Sequence, residues 1–240
     1  MNKRTRVPLS LLFLVSVLEL VTPARAATAS WATLTSSTGA NPGTVLGNIT
    51  IGGQTANVTY TGEIAFTQLA NAGYNYYTPS SAYGPSTAYT GGPSTSDMIA
   101  ISGTTDTHSF AFSTPITDPL MAIVSLGGPG NGVSYNFSAP FTILSQGAEN
   151  PYGGCSTCLS GSGTNTLTGT EGDGIIQFTG NFTSLSWTVT GGEYWNGFTV
   201  GASGLPATSE VPEPASWGLS AISLAAVAGI AGRKRLHTLS

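Results

Sequence analysis

Cys155-Ser-Thr-Cys158 holds the only two thiols of this 240-residue chain. A C-x-x-C spacing serves three chemistries: a disulfide, a redox pair, or half of a zinc site. A redox pair needs its first cysteine at a helix N-terminus, where the thiolate is stabilised. Here the cysteines sit between Gly153-Gly154 and a Ser/Gly/Thr run, with no βαβ pattern around them. Zinc needs two further ligands, and His108 is the one histidine between residues 27 and 210. A small-loop disulfide is the expected state, with redox activity or metal binding as the alternative.

His108 has Asp106 two residues before it and many serines to draw on, the raw material of a Ser–His–Asp hydrolase. No Gly-x-Ser-x-Gly elbow singles out a nucleophile. A lone histidine opening a strand is read first as structural, and no catalytic residue is assigned. Glu171-Gly-Asp173-Gly174 offers calcium ligands on a glycine-rich turn, without the regular Asp spacing of a calcium loop. Solvated turn acids are the competing reading, and no cofactor is expected. Glu149, Glu171 and Glu193 have the chemistry of glycosidase carboxylates, but separations are invisible in sequence.

Tyr74, Tyr76, Tyr77, Tyr83 and Tyr89 punctuate a Ser/Thr/Pro/Gly stretch from 71 to 96. That segment is long and aromatic for a hairpin connection. Its rings could stack on the apolar faces of sugars, which makes a glycan-binding surface one expectation. Folding back to bury the rings as a satellite cluster is the other, and adhesion to protein a third.

All seven Lys and Arg lie at 3, 4, 6, 25 and 233–235, so 27–210 has no permanent cation. Eight carboxylates fall in 27–209: Glu63, Asp97, Asp106, Asp118, Glu149, Glu171, Asp173 and Glu193. Such a domain cannot neutralise phosphates, which counts strongly against nucleic acid, nucleotides and anionic head groups as partners, and no nucleic acid is expected. Neutral sugars, cations and proteins remain.

These residues need a scaffold, and the pattern around them is β. Ala56, Val58 and Tyr60 share one face of a strand from Gln54 to Tyr60, with Gly52-Gly53 as its hairpin turn. His108, Phe110 and Phe112, and Leu185, Trp187 and Val189, repeat the period of two. Short runs at 45–51, 63–69, 98–102, 120–126, 133–138, 141–145, 174–179 and 197–201 read as further strands. Asn131-Gly132 marks another tight turn. No helical period persists, so the fold class is all-β: a single antiparallel sandwich or jelly roll over 27–205.

The ends carry addresses. Lys3, Arg4 and Arg6 precede an apolar run from Leu9 to Leu18, and Ala24-Arg25-Ala26 places small residues for cleavage before Ala27. This makes 1–26 a signal peptide. At the far end, 206–216 is a linker containing Val211-Pro212-Glu213-Pro214. An uncharged span, 217–232, and a basic tail, 233–240, with Arg233, Lys234 and Arg235, follow. At about 1.5 Å per residue the span covers roughly 24 Å, and snorkelling arginines with Trp217 extend it toward a bilayer's core. The basic end sits in the cytoplasm by the positive-inside rule.

The order of Pro-Glu-Pro motif, hydrophobic helix and basic end resembles the PEP-CTERM sorting signal of Gram-negative bacteria. The resemblance implies export, a transient inner-membrane anchor, an exosortase as processing partner, and a link to exopolysaccharide. Phe112 to Leu120, Ile123 to Gly127 and Trp195 to Gly201 resemble exported bacterial β-sandwich modules, which implies the fold and no reaction. The expectation is a non-enzymatic protein of the cell surface or extracellular matrix, structural or adhesive in or against exopolysaccharide. A carbohydrate-binding module using the tyrosine loop is the alternative, and a secreted hydrolase the third reading.

Overall fold

The computed structural model describes residues 27–204, apart from 78–80, 87–88, 104–105 and 151–152. The signal peptide with Ala24 and Ala26, the linker, the span and the basic tail with their sorting motif lie outside the described residues. Among the described residues eighteen strands and one 3-10 turn succeed one another. The first nine strands are β1 (Ala27–Thr28), β2 (Ser30–Trp31), β3 (Thr33–Thr38), β4 (Gly43–Ile51), β5 (Gln54–Gly62), β6 (Phe66–Gln68), β7 (Tyr89–Thr90), β8 (Met98–Ile101) and β9 (Thr107–Leu126). Then come β10 (Val133–Phe137), β11 (Thr142–Gln146), β12 (Ala148–Asn150), β13 (Gly153–Gly154), β14 (Leu159–Ser160), β15 (Thr166–Gly169), β16 (Gly172–Gln177), β17 (Asn181–Thr190) and β18 (Asn196–Gly204). Among the described residues no helix is long and apolar enough to cross a membrane.

The molecule is all-β, and fourteen strands belong to one large antiparallel sheet. β9 organises it. Its first part pairs with β5, Phe110 opposite Tyr60, and with β17, His108 opposite Trp187. Its second part pairs with β18, Ile123 opposite Phe198, and with β16, Ala122 opposite Ile175. Between these, Ala111 faces Ser184 and Ile116 faces Phe182, so residues 112–115 stand opposite residue 183 alone. This bulge bends the strand where Pro115 has no amide to donate. Asp118, at φ 49°, follows, with its carboxylate accepting from the Gly180 amide at 2.7 Å. Sequence period alone divides this segment into two strands; the structure joins them because the pairing partners change at the bend.

One arm runs β3-β4-β5-β9-β17-β10-β15-β14, and the other carries β6, β8, β18, β16 and β11. Side chains from both arms meet in one apolar cluster. Trp187 is at its centre, with ring centroids 5.2 Å from Phe198, 5.6 Å from Phe110 and 6.0 Å from Tyr135. Such tilted and edge-on aromatic pairs add to the burial of each ring. Ala56, Val58 and Tyr60 point inward as the alternation predicts, and Gly52 and Gly53 make the turn with φ of 57° and 81°. The turn expected at Asn131-Gly132 falls two residues earlier: Pro129-Gly130 is its centre and Gly128 pairs with Asn131. Proline followed by glycine at φ 74° suits a type II turn. Of the strand expected at 63–69 only Phe66–Gln68 forms. Glu63 is drawn instead to the Ser102 and Gly103 amides, each 3.2 Å from a carboxylate oxygen.

The opposite face of the first arm explains the composition. Thr107, Thr188, Asn136 and Thr166 stand in register across four strands, and Thr190, Ser134, Thr168 and Ser160 form the next row. Hydroxyls and amides bond along these rows, Ser134 to Thr168 at 2.8 Å and Thr166 to Asn136 at 3.0 Å. Cross-strand polar pairs of this kind do the work that ion pairs do on other sheets. No Lys or Arg is needed to solvate the face.

Candidate functional site

Three turns converge at one end of the sheet: the exit of β9, the entry to β16, and the β17–β18 connection Gly191-Gly192-Glu193-Tyr194-Trp195. Two of the residues there hold left-handed backbone without being glycine, Ser125 at φ 53° and Glu171 at φ 58°. Strain of this kind persists only where surrounding bonds over-determine it. Here the Ser125 amide donates to Asp173 Oδ1 at 2.8 Å and its hydroxyl to Glu171 Oε2 at 2.9 Å. The Glu171 amide donates to the Gly127 carbonyl at 3.0 Å. Gly127 is at φ 77°, and a Cβ there would lie 2.1 Å from the Gly169 carbonyl oxygen, so only glycine fits. Its amide donates to Glu193 Oε1 at 2.7 Å.

Glu193 is thereby fixed. The Asn196 side-chain amide donates to the same Oε1 at 2.8 Å, and the buried Tyr135 hydroxyl donates to Asn196 Oδ1. Burial pushes the Glu193 carboxyl up to about 7; the Gly127 and Asn196 donors oppose the rise and the Glu171 carboxylate adds to it. With Oε1 accepting two N–H groups, Oε2 is the oxygen that takes up the proton when the group is neutral and stands open when it is ionised.

The sign of the consequence for stability is definite. A carboxyl raised from its ordinary value of 4.5 to about 7 in the folded state binds its proton more tightly when folded. Its stabilising contribution is complete below the unfolded value and is lost as pH rises through the folded one. Glu193→Gln keeps the Oε1 acceptor and removes this titration. It is expected to raise the thermal midpoint at pH 8 and to leave it unchanged at pH 4, as scanning calorimetry at the two values will read. Equal shifts at both would contradict the assignment.

Around this framework lies a cleft of about 550 Å³ lined by Ser125, Gly128, Pro129, Glu171, Glu193, Tyr194 and Trp195, among others. A second, of about 450 Å³, is lined by Ala65, Phe66, Tyr76, Ser102, Tyr194 and Trp195. The two share Tyr194, which is 93% exposed, and Trp195. Trp195 packs against Phe66 at 5.5 Å and Tyr76 at 5.3 Å, and Tyr76 against Tyr74 at 5.0 Å. The Ser102 hydroxyl donates to the Tyr194 carbonyl at 3.2 Å and the Glu193 amide to the Ser102 carbonyl at 3.0 Å, which ties the turn to β8. A strip of rings therefore borders a row of fixed carboxylate acceptors. Flat apolar faces beside hydrogen-bond acceptors suit a polyhydroxylated ring.

The tyrosine-rich segment divides. Tyr74, 52% exposed, and Tyr76 join the Trp195 strip, whereas Tyr77, Tyr83 and Tyr89 are buried beside Met98, Leu120, Ala122, Val124 and Ile175. The Tyr83 hydroxyl donates to the Ile123 carbonyl at 2.7 Å, with Asp173 Oδ1 at 3.2 Å. Three of the five rings thus cover the second arm and have no surface to offer a glycan. Cys155 and Cys158 form a disulfide. Asp173 is fully buried and Glu171 partly so, and no group of three or more His, Cys, Asp or Glu among the described residues is placed to hold a metal ion.

His108 is fully buried between Tyr60 and Trp187, whereas Asp106, two residues earlier, is exposed. Tyr60 donates to the Glu63 carbonyl at 2.6 Å, and its only proton is then spent. His108 Nδ1, 2.9 Å from the same hydroxyl, must carry the proton of that contact. The side chain of Glu149 lies outside the described set. Glu193, Tyr194 and Trp195 are the residues sequence reasoning passed over as a unit; the signal was an acid and two adjacent aromatics on a Gly-Gly turn. No family model, curated protein or solved structure matches this chain.

Proposed function

We propose that this chain is an exported protein of the cell surface or extracellular matrix with a structural or adhesive role in exopolysaccharide. Its body is an antiparallel β-sandwich of jelly-roll kind, and its PEP-CTERM tail directs it through the inner membrane to an exosortase. The observation that supports the role is the pair of adjoining clefts sharing exposed Tyr194 and half-buried Trp195, beside acceptors fixed by Ser125, Gly127 and Asn196. Glycan contact thus moves from the tyrosine loop as a whole to its Tyr74–Tyr76 end and the Glu193–Trp195 turn. Fractionation of the producing cells tests the reading. The protein is expected with the matrix polysaccharide, and recovery in the cytoplasm would contradict it.

A second reading rests on Glu171 and Glu193 lining one cleft, with Glu193 retaining a proton near neutrality. A glycosidase uses such a pair, one as acid and one as base or nucleophile. Release of reducing ends from the matrix polysaccharide, abolished by Glu171→Gln and by Glu193→Gln, would favour it over adhesion.

A further inference from the structure

We propose that the Glu171–Glu193 cleft selects glycans bearing a protonated amine, such as polymers of free amino sugars. The inference rests on the glycan-binding reading and names its ligand class. Each carboxylate is anchored through one oxygen: Glu171 Oε2 by the Ser125 hydroxyl, and Glu193 Oε1 by the Gly127 amide and Asn196. Among the described residues the other oxygen of each accepts no hydrogen bond. Both carboxylates line the same cleft, whose remaining wall includes Tyr194 and Trp195. An ammonium group brings three donors and a positive charge. It meets open carboxylate oxygens on one side and aromatic faces, which attract cations, on the other.

The rest of the domain sharpens the choice. Between 27 and 204 there is no Lys or Arg to neutralise these acids. The titratable groups facing Glu193 are Glu171 across the cleft and Tyr135 behind Asn196, with Tyr194 next in the chain; none is a cation. An N-acetylated sugar offers the same ring to stack but replaces the ammonium with a neutral, bulkier amide. The arrangement therefore discriminates between the two at a single nitrogen.

The test is calorimetric titration of the intact chain in mild detergent at about pH 7.5, above the value of about 7 for Glu193 and just below the usual α-amino range, so that the Glu193 carboxylate and the ligand's amine are both largely charged. A glucosamine hexamer is compared with its N-acetylated counterpart. The amine form is expected to bind about tenfold tighter, and the preference to shrink in about 0.5 M salt as screening shortens the reach of the charges. Glu171→Gln and Glu193→Gln should each bring the amine form's affinity down to that of the acetylated form. Circular dichroism of each variant establishes that it is folded. Equal affinities for the two hexamers would overturn amine selection while leaving glycan binding intact. Binding of neither would remove both readings. Binding that requires added calcium would overturn the proposal by giving the carboxylates to a metal ion.

Discussion

Asp97→Ala is expected to destabilise the domain by about 3–5 kcal/mol, the sum of two lost charge-assisted bonds and the donors they leave behind. Asp97 is fully buried in a domain that has no Lys or Arg to pair with it. Its partners are amides. Oδ2 accepts from the Leu34 amide at 3.0 Å and Oδ1 from the Asn71 amide at 2.6 Å. These bonds pin β3 and the 70–73 turn to the start of β8. Alanine leaves both donors without an acceptor inside protein. Asparagine presents one oxygen and one NH₂, so it satisfies a single amide and points a donor at the other. Asp97→Asn should therefore fall between, at about 1–3 kcal/mol. Urea denaturation with unchanged m-value will rank wild type above Asn above Ala. Equal stability of all three would show that the amides find other acceptors.

Asp97 is one instance of a rule in this molecule. Glu63 takes the Ser102 and Gly103 amides, Asp118 takes Gly180, Asp173 takes Ser125, and Glu193 takes Gly127. With no Lys or Arg available, carboxylates act as staples for loop amides. Bonds of this type depend on local geometry rather than long-range attraction, so salt should disturb them little.

Trp195→Ala should reduce polysaccharide affinity by about thirtyfold, the loss of roughly 2 kcal/mol typical of a central aromatic anchor. Trp195 lies between the two clefts and touches Phe66 and Tyr76, so its removal flattens the strip that any sugar ring would stack on. Some loss of packing accompanies the change, and Tyr194→Ala separates the two effects. Tyr194 is 93% exposed, so its truncation should leave the unfolding midpoint within error and still weaken binding. Full affinity in both variants, measured by affinity electrophoresis, would place the ligand elsewhere.

Much of the scaffold was legible because burial alternates where one face of a strand is covered. Ala56-Val58-Tyr60, His108-Phe110-Phe112 and Leu185-Trp187-Val189 all read correctly from period two. The second part of β9 did not announce its partners: Leu120 to Leu126 is buried on both faces, so alternation disappears. β1, β2, β3 and β15 are short or Ser/Thr-rich and carry too few apolar residues to stand out from loops. The site was less legible than the scaffold. Ser125, Glu171 and Glu193 are far apart in sequence and meet only because β9, β16 and β18 are neighbours. The tyrosine segment showed an excess of rings but not which ones face inward, since no strand period orders residues 71–96.

Exopolysaccharide is proposed to bind at the Tyr194–Trp195 surface, and co-sedimentation of the intact chain with the producing organism's polymer tests this most directly. Saturable pelleting, the same with calcium and with chelator and lost in Trp195→Ala, is the predicted result. A chain that stays in the supernatant at every polymer concentration, in both conditions, would contradict it.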